Sequence, residues 1–242
     1  MRRALIPLAI ACLALAPARA TSEYQYGPQE YVIIRDGLAP NKQLSLATHG
    51  GGERGDDGFH VWLMSEPGHR RRVKLDGIGD DNILDTAADA FHAFWSPDSR
   101  RVGVAHRSSR HEVELDLFSI DGRGAHAIRG PNLFKEVTSR DVADDDGLRA
   151  RNSIVEWRAG NRFVVREFLA FVADDDRLMK LLGKYGTLVE KMDGGRLYIQ
   201  FFANAECELL PGNRTRVIDL TPGKPGDADD WWQGKDQGKN PS

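Results

Sequence analysis

The chain has 242 residues, with 33 Lys and Arg against 36 Asp and Glu, and 40% of its residues are hydrophobic. That length suits one domain, or at most two small ones, with a core of useful size. The acidic balance lacks the basic footprint that nucleic-acid binding depends on and gives anionic lipid nothing to attract.

Arg2 and Arg3 supply a positive start, Ala4 to Ala16 form an apolar run broken only by Pro7, and Ala18-Arg19-Ala20 places small residues where a signal peptidase reads them. This pattern predicts a secretory signal peptide over residues 1–20, cleaved after Ala20. Lipid attachment at Cys12 is the alternative, but Ala9-Ile10-Ala11 departs from a lipobox. The run is too short to span a bilayer, so no transmembrane segment is expected. Losing Arg2, Arg3 and Arg19 leaves 30 basic against 36 acidic residues, about −6. The mature protein is expected in a periplasm or secreted. Cys207 is then its one cysteine; the alternation Glu206-Cys207-Glu208-Leu209 turns it inward with Leu209, as a buried, inert thiol.

Short strands are predicted at 31–34, 44–46, 59–63 and 71–75, separated by Gly, Asp, Pro or Asn clusters. Residues 94–121 are the most explicit segment. Trp95-Ser96-Pro97-Asp98-Ser99 is a tight turn with φ pre-set at Pro97. Val102 and Val104 follow with period two. Val113, Leu115 and Leu117 then alternate with Glu112, Glu114 and Asp116, which predicts one face buried and one wet. Further strands are expected at 154–157, 163–172, 197–201 and 216–220. Gly130-Pro131 opens a short helix through Leu133 to Val137, with Pro at its first position. Leu178, Leu181, Leu182 and Tyr185 form one helical face behind Asp174-Asp175-Asp176, whose acids suit a helix start. Residues 138–152 read as a charged surface loop and 221–242 as a flexible tail carrying Trp231-Trp232.

Weak internal repeats accompany the Trp95 turn. Pro40-Asn41-Lys42 echoes Pro97-Asp98-Ser99. Trp157-Arg158-Ala159-Gly160-Asn161 echoes the Trp95 turn one residue shorter, and Asp193-Gly194-Gly195 has the same turn-then-strand form. The aromatic, Ser-Pro-Asp, strand, strand-to-Asp order of residues 94–121 resembles a blade motif of TolB-type, WD-like β-propeller repeats, with Ser99 where the repeat usually has Gly. The resemblance covers about a tenth of the chain. It implies a mainly β protein of short antiparallel sheets, propeller-like (small, open or degenerate), with one or two short helices inserted. Residues 21–220 would form a single β-rich domain.

No catalytic spacing stands out. The seven histidines, His49, His60, His69, His92, His106, His111 and His126, lack the tight spacings of a zinc site. The acid runs at 56–57, 80–81, 144–146 and 174–176 lack the alternating ligands of a calcium loop. Gly50-Gly51-Gly52 is a turn, not a phosphate loop, and no cofactor is expected. Arg100, Arg101, His106, Arg107, Arg110 and His111, on one hairpin and its link, are the candidate partner-binding residues. The resemblance implies a partner-binding component of the bacterial envelope, so the expected role is an exported, non-catalytic interaction or scaffolding module. Two alternatives stand beside it: a periplasmic hydrolase or metal-dependent enzyme using histidines of region 49–126, and a small-ligand sensor lined by Trp62, Trp95 and Trp157.

Overall fold

A computed structural model describes residues 24–50, 58–79, 83–122, 124–142 and 147–225. The signal peptide, Cys12, the acid runs at 56–57, 80–81 and 144–146, Gly51 and Gly52, and the tail tryptophans lie outside the described residues. Within them the chain is mainly β. A first meander comprises β1 (Val32–Leu38), β2 (Leu44–His49), β3 (His60–Ser65) and β4 (Arg70–Gly79). A second comprises β5 (Phe91–Trp95), β6 (Arg101–Arg107), β7 (Val113–Ile120) and β8 (Ala125–Ile128). A short helix, α1 (Leu133–Thr138), leads to β9 (Leu148–Trp157) and β10 (Arg162–Ala173). The helix α2 (Arg177–Leu182) then precedes β11 (Gly186–Lys191), β12 (Leu197–Leu210) and β13 (Arg214–Pro222).

β1 and β5 run parallel, joined at Arg35 and His92, and merge the two meanders into one eight-stranded sheet of order β4-β3-β2-β1-β5-β6-β7-β8. The far edges also approach, because Val73 of β4 packs beside Gly124 at the start of β8. The sheet is therefore nearly closed, and the fold is propeller- or barrel-like. A second sheet is antiparallel, of order β11-β12-β10-β9. The long β12 gives one edge to β10 and divides the other between β11 near its start and β13 near its end.

Two hydrophobic cores separate three layers. Ile34, Leu46, Val61, Leu63 and Leu75 of the first meander meet Phe91, Ala93, Val102, Val104, Phe118 and Ile120 of the second. Leu117 and Ile128 of the second meander meet Val155, Phe163, Leu169, Ile199 and Phe201 of the third layer, closed at one end by Leu133 and Phe134 of α1. The second meander is thus buried on both faces, which corrects the expectation of one wet face. Period two sends Leu115 and Leu117 to one core, while Phe118 and Ile120, on the face of Glu114 and Asp116, go to the other.

The two helices stand close to where the Gly130-Pro131 opening and the 178–185 periodicity place them. Asn132 caps α1, with Asn132 Oδ1 accepting from Lys135 N at 2.9 Å, so Pro131 lies before the cap and not at the first helical position. Gly183, at φ 53°, ends α2. Asp175, rather than the cap residue Asp176, accepts the Arg177 N–H at 2.9 Å. Residues 148–152, read as loop, begin β9, and β8 and β11 had no sequence signal.

The repeated turns are real in geometry. Ala39 N–H donates to Leu44 O at 2.9 Å and Lys42 N–H to Ala39 O at 2.8 Å; Ser96 N–H donates to Arg101 O and Ser99 N–H to Ser96 O, both at 2.9 Å. Lys42 and Ser99 both take left-handed φ, 56° and 57°. The third turn closes one residue sooner, Arg158 N–H to Arg162 O at 2.9 Å, around Gly160 at φ 68°. A left-handed Ser is strained by about 1 kcal/mol. Its compensation is visible, because Ser99 Oγ accepts the Asn41 N–H at 3.0 Å and so ties the second turn to the first. Ser99→Ala keeps the strain and loses the tie, and should cost about 1 kcal/mol in urea unfolding. Ser99→Gly relieves the strain while losing the same tie, and should sit close to wild type. Equal losses for the two variants would refute this account.

Candidate functional site

The structure distributes the six candidate partner-binding residues over two ends of β6, about 20 Å apart by strand rise. At one end Arg100 is exposed in the turn. Arg101 is largely enclosed; its Nη1 donates to Gly160 O at 2.6 Å, and its guanidinium lies 5.9 Å from the Trp157 ring. At the other end Arg107 Nη2 donates to Arg110 O at 2.7 Å and Nη1 faces Asp85 Oδ2 at 3.5 Å. Arg110 and His111 are exposed there. His106 is fully buried, stacked on Phe91 at 6.0 Å with Nε2 3.0 Å from Asp116 Oδ2, so its ring is not on the surface. Arg107, Arg110 and His111 form one link; Arg100 and Arg101 stand apart from it, and His106 belongs to the interior.

The tryptophans occupy three separate places. Trp95 Nε1 donates to Gly37 O at 3.1 Å, and Trp157 Nε1 donates to Phe94 O at 2.8 Å. Gly37 stands two residues before the first turn as Phe94 does before the second. One device therefore recurs, in which the Trp before the second and the third turn fastens its strand to the backbone two residues before the preceding turn. Trp62 lies elsewhere, on the outward face of the first meander.

The histidines are spent singly. His49 Nδ1 sits 2.6 Å from Glu30 O, His69 Nδ1 2.9 Å from Glu66, and His126 Nε2 3.3 Å from Asp121. His92 Nε2 is 2.7 Å from Asp36 Oδ2, across the parallel junction of the meanders. Among the described residues, no three His, Cys, Asp or Glu side chains gather at metal-binding distance. Burial of His92 lowers its pKa more than the largely exposed Asp36 carboxylate raises it. The folded chain therefore binds this proton less readily than the unfolded chain. The neutral ring's contribution is whole above the ordinary value of 6.5 and is lost as pH falls through the lower folded value. The melting temperature should drop as pH falls below 6.5 towards the lower folded value and level off beneath it, and His92→Gln should remove part of the drop. An identical acid profile in the variant would contradict the assignment.

Cys207 is buried in the third-layer core facing Leu209, as its alternation predicts, and burial pushes its thiol up to about 12. Glu167 is a buried carboxylate, 5% exposed. Burial pushes its pKa up, against Arg151 Nη2 at 3.5 Å and the N–H groups of Leu133 and Phe134 at the start of α1. These contacts join α1 to the third sheet.

One cluster escaped the sequence reading. On the outward face of the first meander, register places Tyr31 with His49 and His60 in one row and Ile33, Ala47, Trp62 and Lys74 in the next. Tyr31 stacks on His49 at 4.3 Å, and His60 meets the edge of Trp62 at 6.0 Å. Arg71 lies 4.6 Å over the Trp62 ring, with Nη1 3.4 Å from Tyr31 Oη. The signal was present in Arg70-Arg71-Arg72-Val73-Lys74, four cations in five residues of an acidic chain.

Fold and site define a layered, mainly β protein whose interior polar groups fasten layers together. No protein-family model matches the chain, and no curated protein matches it.

Proposed function

We propose that the protein is an exported, non-catalytic interaction or scaffolding module of the cell envelope, built on TolB-type blade units. The observation that carries this reading is the repeated fastening of layers through Trp95 and Trp157. It makes a rigid stack whose ends and loops are left to meet a partner, the use to which propeller-like folds put their loops. Arg110 and His111, exposed at the β6–β7 link, offer one such contact.

The test is photocrosslinking in intact cells. A photoreactive residue is placed at the Arg110 link or on the first meander, with the full chain expressed from its own start. Recurrent capture of one envelope protein, reduced in an Arg110→Ala/His111→Ala variant when the probe sits at the link, supports the module. Crosslinks to the chain itself alone, from every position, would overturn it.

A further inference from the structure

We infer that the outward face of β1–β4 docks a carboxylate-bearing acidic segment of a partner protein, with Arg71 as anchor; this deepens the interaction-module reading and rests on it.

The cations of β4 have no ion pair among the described residues, whereas several on the third sheet do. On the third sheet Arg166 meets Glu156 at 2.7 Å, Arg162 meets Glu206 at 3.0 Å, and Arg216 meets Glu208. Along β4, neither Arg70, Arg71, Arg72 nor Lys74 has an ion pair among the described residues, and all four are exposed. A register shift in the β3–β4 ladder makes Arg72 the extra residue, while Arg71 and Lys74 stay on the side of Trp62. Asp76, two residues beyond Lys74, is the carboxylate within β4.

The geometry around Arg71 selects the chemistry. The Trp62 ring and Tyr31 Oη hold the exposed guanidinium, and its other N–H donors have no partner among the described residues. A planar fork held in this way suits a bidentate carboxylate. Arg71 covers the Trp62 face on which a sugar or a base would otherwise stack, so the aromatic ring serves to position the cation. Ile33, 40% exposed, and partly exposed Tyr31 supply apolar contact beside it. Tyr, Trp and Arg together are the composition of interface hot spots.

The test uses the purified full chain and fluorescent short peptides alternating Glu and Leu, or Gln and Leu, read by anisotropy. Expected is saturable binding of the Glu peptide and at least about tenfold weaker binding of the Gln peptide. Arg71→Ala should weaken the Glu peptide by about tenfold or more. Arg71→Lys should weaken it severalfold, because the charge stays while the stacked fork is lost. Lys184→Ala, on another layer, should bind as wild type, and unchanged melting temperatures establish that each variant is folded.

The proposal is overturned if the Glu peptide does not bind, if Glu and Gln peptides bind alike, or if Arg71→Ala binds as wild type. It is also overturned if Arg71→Lys retains full affinity while heparin competes equally, which would mean charge attraction alone, or if the face is occupied by a second copy, seen as a dimer that Arg71→Ala dissociates. Envelope crosslinks that persist in Arg71→Ala would leave the interaction module standing and remove this surface from it. Peptide binding that depends on Arg71, with no envelope protein captured, would do the reverse.

Discussion

Trp157→Ala should destabilise the protein by about 3–5 kcal/mol, the usual cost of deleting a buried Trp. The side chain is 7% exposed, packs on Phe163 at 5.2 Å, and carries the 2.8 Å bond to Phe94 O that joins the third layer to the second. Deletion opens a cavity in the larger core and leaves the Phe94 carbonyl without this donor. A domain of this size has a stability of about 5–15 kcal/mol, so the loss would be a large fraction of the total. Trp157→Phe divides the effect: most of the ring volume remains and the hydrogen bond goes, for which about 1 kcal/mol is expected in addition to imperfect packing. Urea unfolding followed by circular dichroism measures both. A loss below about 1 kcal/mol for Trp157→Ala would mean that the Trp does not fasten the layers.

Gly103→Ala tests the same interface from the opposite side. Gly103 lies in the middle of β6, and a Cβ there would overlap Val155 Cγ1 of β9 and stand 3.2 Å from both Leu115 Cδ1 and Leu117 Cδ2. The neighbours are enclosed between layers and have little room to retreat, so overpacking should cost about 1–3 kcal/mol. Gly103→Leu should prevent folding to a single state. The mechanism makes a second, sharper expectation. Val155→Ala alone leaves a small void and destabilises, but combined with Gly103→Ala it makes room for the new methyl. The double variant should be more stable than the sum of the single losses by at least about 0.5 kcal/mol. Strict additivity would mean that Gly103 is glycine for a reason other than the approach of β9.

Both experiments concern contacts between segments more than fifty residues apart, and this is where sequence reading stopped. Its local readings held well. The strands around Leu46, Val61, Val104 and Ile199 followed from alternation, and α2 stands where its leucine spacing places it, burying Leu178 and Leu182 but leaving Leu181 exposed and Tyr185 beyond its end; the turns at 39–44 and 96–101 share one hydrogen-bond pattern. Residues 186–191 lacked alternation, because β11 lies exposed at an edge and need not hide one face. Residues 148–152 were too charged to read as strand. Arg151 is tolerated there because Glu167, on the same core-facing side, pairs with it.

The candidate surface shows the same limit. Arg100 to His111 is continuous in sequence, yet an extended strand carries its ends about 20 Å apart and turns His106 inward, so adjacency along the chain did not make a patch. Tyr31, Trp62 and Arg71 are scattered along the chain and become neighbours only when β1, β2, β3 and β4 pair.

By itself, the sequence determined the β class, the turn chemistry, the two short helices and the inward placing of Cys207, because each depends on residues a few positions apart. The tertiary structure alone decided the parallel joining of β1 to β5, the burial of the second meander on both faces, and the gathering of a cationic and aromatic face whose cations have no ion pair among the described residues. Those outcomes depend on which apolar surfaces meet across long stretches of chain, a free energy that no local pattern encodes.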